Sequence, residues 1–331
     1  ITNGLGNGFK WLACVFATFG ALAAFGIGNM TQINTIASTV NTAISGFIPT
    51  TESQQTTIAW VVAIICALIC AIVLLGGIQR LADVCSLLVP VMAVIYIVAA
   101  LAVIVVNASA IPEVFSAIFV GAFNPASVAG GLAGVGIKTA LTKGVGRGIF
   151  SNEAGLGTAP MAHATTSETV PCKQALYGIF EVFLDTIVIC TLTGLTLLCG
   201  AYHGGVNLNY GTMGETNLVA YSLGTLFTEK GGSLIIAIGL ALFAFSTVLS
   251  WGMYGTRCCE FLLGPKSIKP YQIVFVIVVV VGATMDLSLA WDIADTLNGL
   301  MAIPNLIALL LLSPVVIKLT KEYFQSVKAG K

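Results

Sequence analysis

The chain has 331 residues, of which 57% are hydrophobic and 8% charged, with 14 basic against 14 acidic side chains. A soluble globular chain carries about 25% charged residues, so so few charges cannot clothe a water-exposed surface and lipid must cover much of the protein. A net charge of zero with no basic stripe excludes nucleic acid as a partner.

The chain opens at Ile1 on a polar, Gly-rich stretch through Gly8 that reads as a loop between elements, so the natural protein is expected to begin earlier. Beyond it the charges are unevenly spread: none occurs over 11–51, 53–79, 84–112, 186–214, 231–256 or 296–317. Each gap holds the roughly 20 apolar residues that a helix needs to cross a bilayer. In chain order the apolar segments are 9–37, 57–77, 87–106, 174–200, 233–254, 271–285 and 290–317, the sixth being the shortest. A short helix is expected over 110–123, and an amphipathic one over 206–230, where Val219, Leu223, Leu226 and Phe227 fall at helical spacing.

Hydropathy passes over an eighth segment, 138–166, which is rich in glycine and carries Lys138, Lys143, Arg147 and Glu153. Loop charge decides whether it crosses, because basic residues collect on the cytoplasmic side. If it crosses, Lys10, Arg80, Lys173, Arg257, Lys266, Lys269 and the basic tail from Lys318 to Lys331 share one side, and the loops 40–55 and 203–229, without Lys or Arg, share the other. If it does not, everything after it inverts and the pattern is lost. The sequence therefore predicts an all-α integral membrane protein with eight spans and both ends cytoplasmic.

The eighth segment carries the chemistry. Gly144, Gly146, Gly148, Gly155 and Gly157 make a regular helix costly, and Thr158 with Pro160 just behind it reads as a fresh helix start. The expected form is a broken span: a half-helix ending near Phe150–Ser151, unwound backbone over 152–157, and a second half-helix from Thr158. Unwound backbone at membrane depth survives only where it is buried or lines a cavity. There the first half-helix offers carbonyls and the second offers N–H groups. A zwitterionic amino acid needs both, acceptors for its ammonium and donors for its carboxylate. The same glycines also suit close helix packing, and Glu153 admits a structural role as partner of Arg147 or Lys143.

Polar residues inside the other spans admit two readings each. Asn29, Thr31 and Gln32 in the first span serve either as helix–helix bonds or as a cavity face. Glu181 and Asp185, one turn apart, are expected to neutralise Arg147 or Lys143, making with Glu153 a structural charge network. Ser246 and Thr247 are adjacent hydroxyls of the hard-oxygen type that small cations favour, and Trp251, about one turn on, is either a pocket wall or an interfacial anchor. Phe150, Met161 and Trp251 are bulky enough to admit alanine and exclude larger side chains. The nine cysteines are scattered, mostly within apolar runs, and complete no metal motif. No nucleophile–base or metal constellation points to an enzyme.

The stretch from Gly144 to His163, with Ser-Asn-Glu-Ala-Gly-Leu-Gly at its centre, resembles the signature of the alanine/glycine:cation symporter family of prokaryotes. Phe25-Gly-Ile-Gly-Asn-Met-Thr-Gln32 and Phe243-Ala-Phe-Ser-Thr247 with Trp251 resemble that family too, and the likeness covers essentially the whole chain. The resemblance implies a five-plus-five inverted-repeat transporter of the amino acid/polyamine/organocation type, with one broken helix here and residues 1–107 and 108–331 belonging to the first and second repeats. It implies that the chain begins at the third helix of the first repeat, and that without the preceding broken helix the isolated polypeptide does not transport. It implies uptake of L- or D-alanine or glycine across the plasma membrane, coupled to Na+ or H+, with no cofactor beyond the co-transported ion. Its substrate site would draw on Asn29, Gln32, Phe150, Ser151, Asn152, Gly155, Gly157, Thr158, Met161 and Trp251, and its cation site on Ser246 and Thr247. Another cation-coupled amino-acid permease of the same fold, or an ion channel, is the alternative.

Overall fold

The computed structural model describes residues 1–123, 133–203 and 215–329, and these are helical almost throughout. After a short turn of helix, α1 (Thr2–Leu5), the first span is built from α2 (Lys10–Phe25) and α3 (Thr31–Phe47), joined through a wide π turn at Gly26–Met30. Next come α4 (Glu52–Leu74) and α5 (Gly77–Val106), then α6 (Ile111–Phe123) entered through a 3-10 turn at Ala108–Ala110. α7 (Ala133–Asn152) and α8 (Ala159–His163) follow. α9 (Pro171–Phe183) and α10 (Cys190–His203) form one span through a second π turn at Leu184–Ile189. α11 (Glu215–Leu263), α12 (Ile268–Gly282) and α13 (Leu287–Lys328) complete the chain.

Seven of the described helices are long and apolar enough to cross a membrane: Asn7–Phe47, Glu52–Leu74, Gly77–Val106, Pro171–Ala201, Lys230–Leu263, Pro265–Gly282 and Leu287–Lys328. They coincide with the seven apolar segments of the sequence. Large side chains cover their outer faces, Leu87, Val98 and Leu310 among the most exposed, which is the surface that lipid requires. The expected amphipathic helix lies partly outside the described residues, over 206–214. Its remainder, from Glu215, runs into α11 across a kink at Thr228 (φ 65°, ψ 158°). There Leu223 is buried with Ala99, Val103 and Ile236, and Val219, Leu226 and Phe227 pack beside them.

Local signals explain several ends. Thr51 and Gln54 form a capping box at the start of α4, the Thr51 N–H donating to Gln54 Oε1 at 2.9 Å. Asp286 caps α13 by accepting from the Leu289 N–H at 3.1 Å. The Ser288 hydroxyl and that N–H together hold its carboxyl below the usual aspartate range.

The core lies between the first span, α4, α11, α12 and α13, and small residues bring their backbones close. Gly26 faces the backbone of Ala294, Gly20 faces Cys258, and Gly28 leaves room for the buried Trp251. Tyr271 donates to the Ala21 carbonyl at 2.6 Å, and the Asn29 amide donates to the Phe275 carbonyl at 2.8 Å. This packing fixes α2, α3 and α11 as one wall, against which the Gly-rich segment is set.

Candidate functional site: a broken segment between two cavities

The Gly-rich segment is interrupted as its glycines dictate. α7 persists to Asn152, slightly beyond the expected end at Phe150–Ser151, and helix resumes at Ala159 with Pro160 in its first turn. Between them the backbone takes left-handed conformations at Glu153 (φ 54°), Gly155 (φ 79°) and Gly157 (φ 83°). Glycine adopts these without penalty; glutamate rarely does. The segment is held by named bonds. The Asn305 amide donates to the Gly155 carbonyl at 2.9 Å. The Glu153 carboxylate accepts the Thr158 hydroxyl across the unwound turn and the Trp251 indole N–H at 3.0 Å. Leu156 and Thr158 are fully buried.

Two cavities meet here. The first, about 460 Å³, is lined by Gln32 and Thr35 of α3, Ile95 and Tyr96 of α5, Phe150 and Phe243 among others. The second, about 340 Å³, is lined by Cys85 and Val89 of α5, Asn152, His163, Glu181, Asp185, Ser246 and Tyr254 among others. They stack along the helix axes. On α5 the first takes residues nearer Val106 and the second residues nearer Gly77. On α11 the first takes Phe243 and Ala244, and the second takes Ser250 and Tyr254. Among the described residues, Ser151, Glu153, Thr247 and Trp251 line both.

The cavities differ in character. The first is mostly apolar, with a hydroxyl pair, Tyr96 to Thr193, bridging α5 and α10. The second gathers three carboxyl groups, Glu153, Glu181 and Asp185, with several hydroxyls. Ser151 donates to both oxygens of Asp185 at 3.1 and 2.9 Å, and the Asn152 amide donates to the Thr186 hydroxyl. His163 faces Glu181 at 3.4 Å and Gln174 at 2.6 Å. Ser246 and Thr247 both donate to the Phe243 carbonyl, at 2.8 and 3.1 Å, which leaves the lone pairs of both hydroxyls available to a cation.

The expected site residues thus divide. Gln32, Phe150, Ser151, Asn152, Ser246, Thr247 and Trp251 line one cavity or both. Gly157 and Met161 line a separate cavity of about 400 Å³ with Phe16 and Arg257. Thr158 is buried under Glu153, and Gly155 has its carbonyl engaged by Asn305. Asn29 points to α12 and lines neither of the two stacked cavities. Among the described residues the expected charge network does not form as one unit. Arg147 pairs with Asp295 at 2.9 Å, its guanidinium 4.0 Å from the centre of the Trp291 ring and 5.6 Å from that of Phe150. A planar cation prefers that aromatic bracket, so Glu153, Glu181 and Asp185 take neutral or histidine partners instead.

Sequence reasoning missed Asn305, Tyr96, Thr193 and Thr186. The first has a visible signal, an amide in the middle of an apolar span; the hydroxyls have none, because Thr and Tyr are ordinary in membrane helices.

The chain is 45% identical over 330 residues to the sodium/alanine symporter AgcS of Methanococcus maripaludis, covering 97% of this chain and 66% of that protein. It is 40% identical over 330 residues to an uncharacterized transporter of Haemophilus influenzae, covering 98% of this chain and 68% of the relative. With the amino-acid carrier protein AlsT of Bacillus subtilis it shares 36% identity over 328 residues, covering 98% of this chain and 65% of that one. The chain therefore spans about two thirds of the length of these relatives. A family model described as the sodium:alanine symporter family matches residues 1–331, and the chain belongs to that family.

Proposed function

We propose that this chain forms the core of a secondary active transporter that takes up alanine or glycine across the cell membrane by alternating access, driven by co-transported Na+. The single observation that supports the reading best is the unwound segment at 153–158, set between two stacked cavities and flanked by two helix ends. Asn152 and the backbone around Gly155 receive the amino acid. Phe150 and Trp251 limit its side chain, Gln32 faces it from α3, and Ser246 and Thr247 hold the cation. In this reading α7 and α8 together make an eighth span, both chain ends are cytoplasmic, and residues 1–107 and 108–331 belong to two inverted repeats. The sodium/alanine symporter AgcS, 45% identical, lends the substrate and the ion.

Uptake of labelled alanine into vesicles carrying the product of the complete open reading frame tests this. The rate is expected to collapse when the Na+ gradient is removed. The double substitution Ser246→Ala with Thr247→Val is expected to raise the Na+ concentration for half-maximal uptake by on the order of tenfold, with protein level unchanged, because two oxygen ligands are lost. Uptake indifferent to the gradient, or an unchanged Na+ requirement in the variant, contradicts the assignment. A steady ion current without amino acid favours a channel instead.

A further inference from the structure

Glu153 has no role in the scheme above, yet its conformation is unusual. It is a non-glycine residue in left-handed backbone, at the junction of α7 with the unwound segment. Among the described residues no ion pair reaches its carboxylate, since Arg147 is taken by Asp295. Its two oxygens divide their work instead. One accepts the Thr158 hydroxyl and so closes the unwound turn on itself. The other accepts the Trp251 indole N–H at 3.0 Å from the far wall. Trp251 is 1% exposed, and its Cβ and Cγ occupy the space a Gly28 side chain would need. Its ring packs edge-on against Tyr254 with 5.7 Å between centroids. The root of the ring is therefore fixed, and among the described residues its indole N–H is bonded to Glu153. Both residues line both cavities.

We propose that Glu153 is a positioning residue that latches the partition between the two cavities, binding the unwound segment to Trp251 so that the cavities join only when this bond opens. The inference rests on the transport reading but is separable from it. A guest that rearranges the 153–158 backbone displaces the Glu153 carboxylate and so frees the indole edge, which links occupancy of one cavity to access from the other. A latch of this kind predicts leak when it is cut, whereas a carboxylate that merely stabilises the fold predicts loss of protein.

The test measures Na+ flux without amino acid in proteoliposomes holding the product of the complete open reading frame. Trp251→Phe keeps the ring and deletes the N–H donor. Glu153→Gln keeps the shape and an acceptor oxygen for the indole, and its NH2 can donate to the Thr158 hydroxyl, so it removes the charge from the bond without deleting it. Trp251→Phe is expected to raise amino-acid-independent Na+ flux per folded molecule by about tenfold, the shift that loss of a charge-assisted hydrogen bond produces, and Glu153→Gln by less. The double variant is expected to leak no more than Trp251→Phe alone, because both act on the same bond. Thr158→Val, which leaves the Trp251 bond in place, is expected to leak less than Trp251→Phe. Wild-type tightness in Trp251→Phe, or single effects that multiply in the double variant, overturns the latch. If Glu153→Gln does not fold, Trp251→Phe against Thr158→Val decides alone. Loss of Na+-dependent alanine uptake in the unmutated protein would instead overturn the transport reading, so the two failures are distinguishable.

Discussion

Gly155→Val is expected to reduce alanine uptake by on the order of a hundredfold, the scale that misplacing binding groups by about an ångström carries, while leaving the protein in the membrane. Two effects act at this position. A side chain built there would come 2.9 Å from Leu306 Cδ2, a contact that rotation of the leucine relieves. The backbone is not relieved: its φ of 79° is left-handed, which costs an L residue roughly 1–2 kcal/mol and a β-branched one more. The cheapest escape is for 153–158 to change conformation, which moves the Gly155 carbonyl off the Asn305 amide and Asn152 off the cavity wall. Initial uptake rates normalised to membrane protein measure the effect. Alanine affinity equal to that of the unmutated protein would remove the unwound segment from the site.

Among the described glycines, Gly28→Ala is expected to have the largest effect on stability. The new carbon would sit 1.9 Å from Trp251 Cβ and 2.1 Å from its Cγ. No rotamer of Trp251 relieves this, because Cβ does not move when χ1 turns. The π turn at Gly26–Met30 and α11 must separate instead, disturbing a core in which Ile27, Val248 and Trp251 are all but fully buried. Overpacking costs 1–3 kcal/mol where side chains can adapt, and here the clash is with the root of a side chain, so about 3 kcal/mol or more is expected. Thermal unfolding in detergent should show a large fall in Tm or no folded protein. Gly46→Ala, whose added carbon meets nothing within 4 Å, is the control and should be neutral. A normal Tm for Gly28→Ala would mean that the first span and α11 are not packed as described.

Much of this architecture was legible because lipid imposes strong rules. Charge-free runs of the required length marked six of the seven apolar spans, and glycines followed by Pro160 marked the interruption that the backbone shows at 153–158. Ends were less legible. The last helix runs on to Lys328, well past the apolar limit at residue 317, because a solvated helix with the Lys318 and Glu322 pair needs no hydrophobic run. Partnerships were the least legible. Arg147 was expected to meet the acidic groups of its own segment or of the next span. It meets Asp295 instead, 148 positions away, because Trp291 one turn earlier on α13 supplies an aromatic face. The polarity of Asn29 left two readings open, a helix–helix bond or a cavity face. The π turn swings it onto the Phe275 carbonyl, and only the packing of α12 reveals that. Polarity inside a span announces that a partner exists, and the packing of remote helices decides which.

The most direct test of the central claim is amide hydrogen exchange over residues 153–158 in the complete protein, with and without Na+ and alanine. Backbone N–H groups in an unwound segment exchange fast when the site is empty and are shielded when a guest takes them as donors. The account predicts rapid exchange in the absence of alanine and marked slowing when alanine and Na+ are present together. Slow exchange throughout, as in an unbroken helix, or exchange that alanine with Na+ leaves untouched, would contradict it.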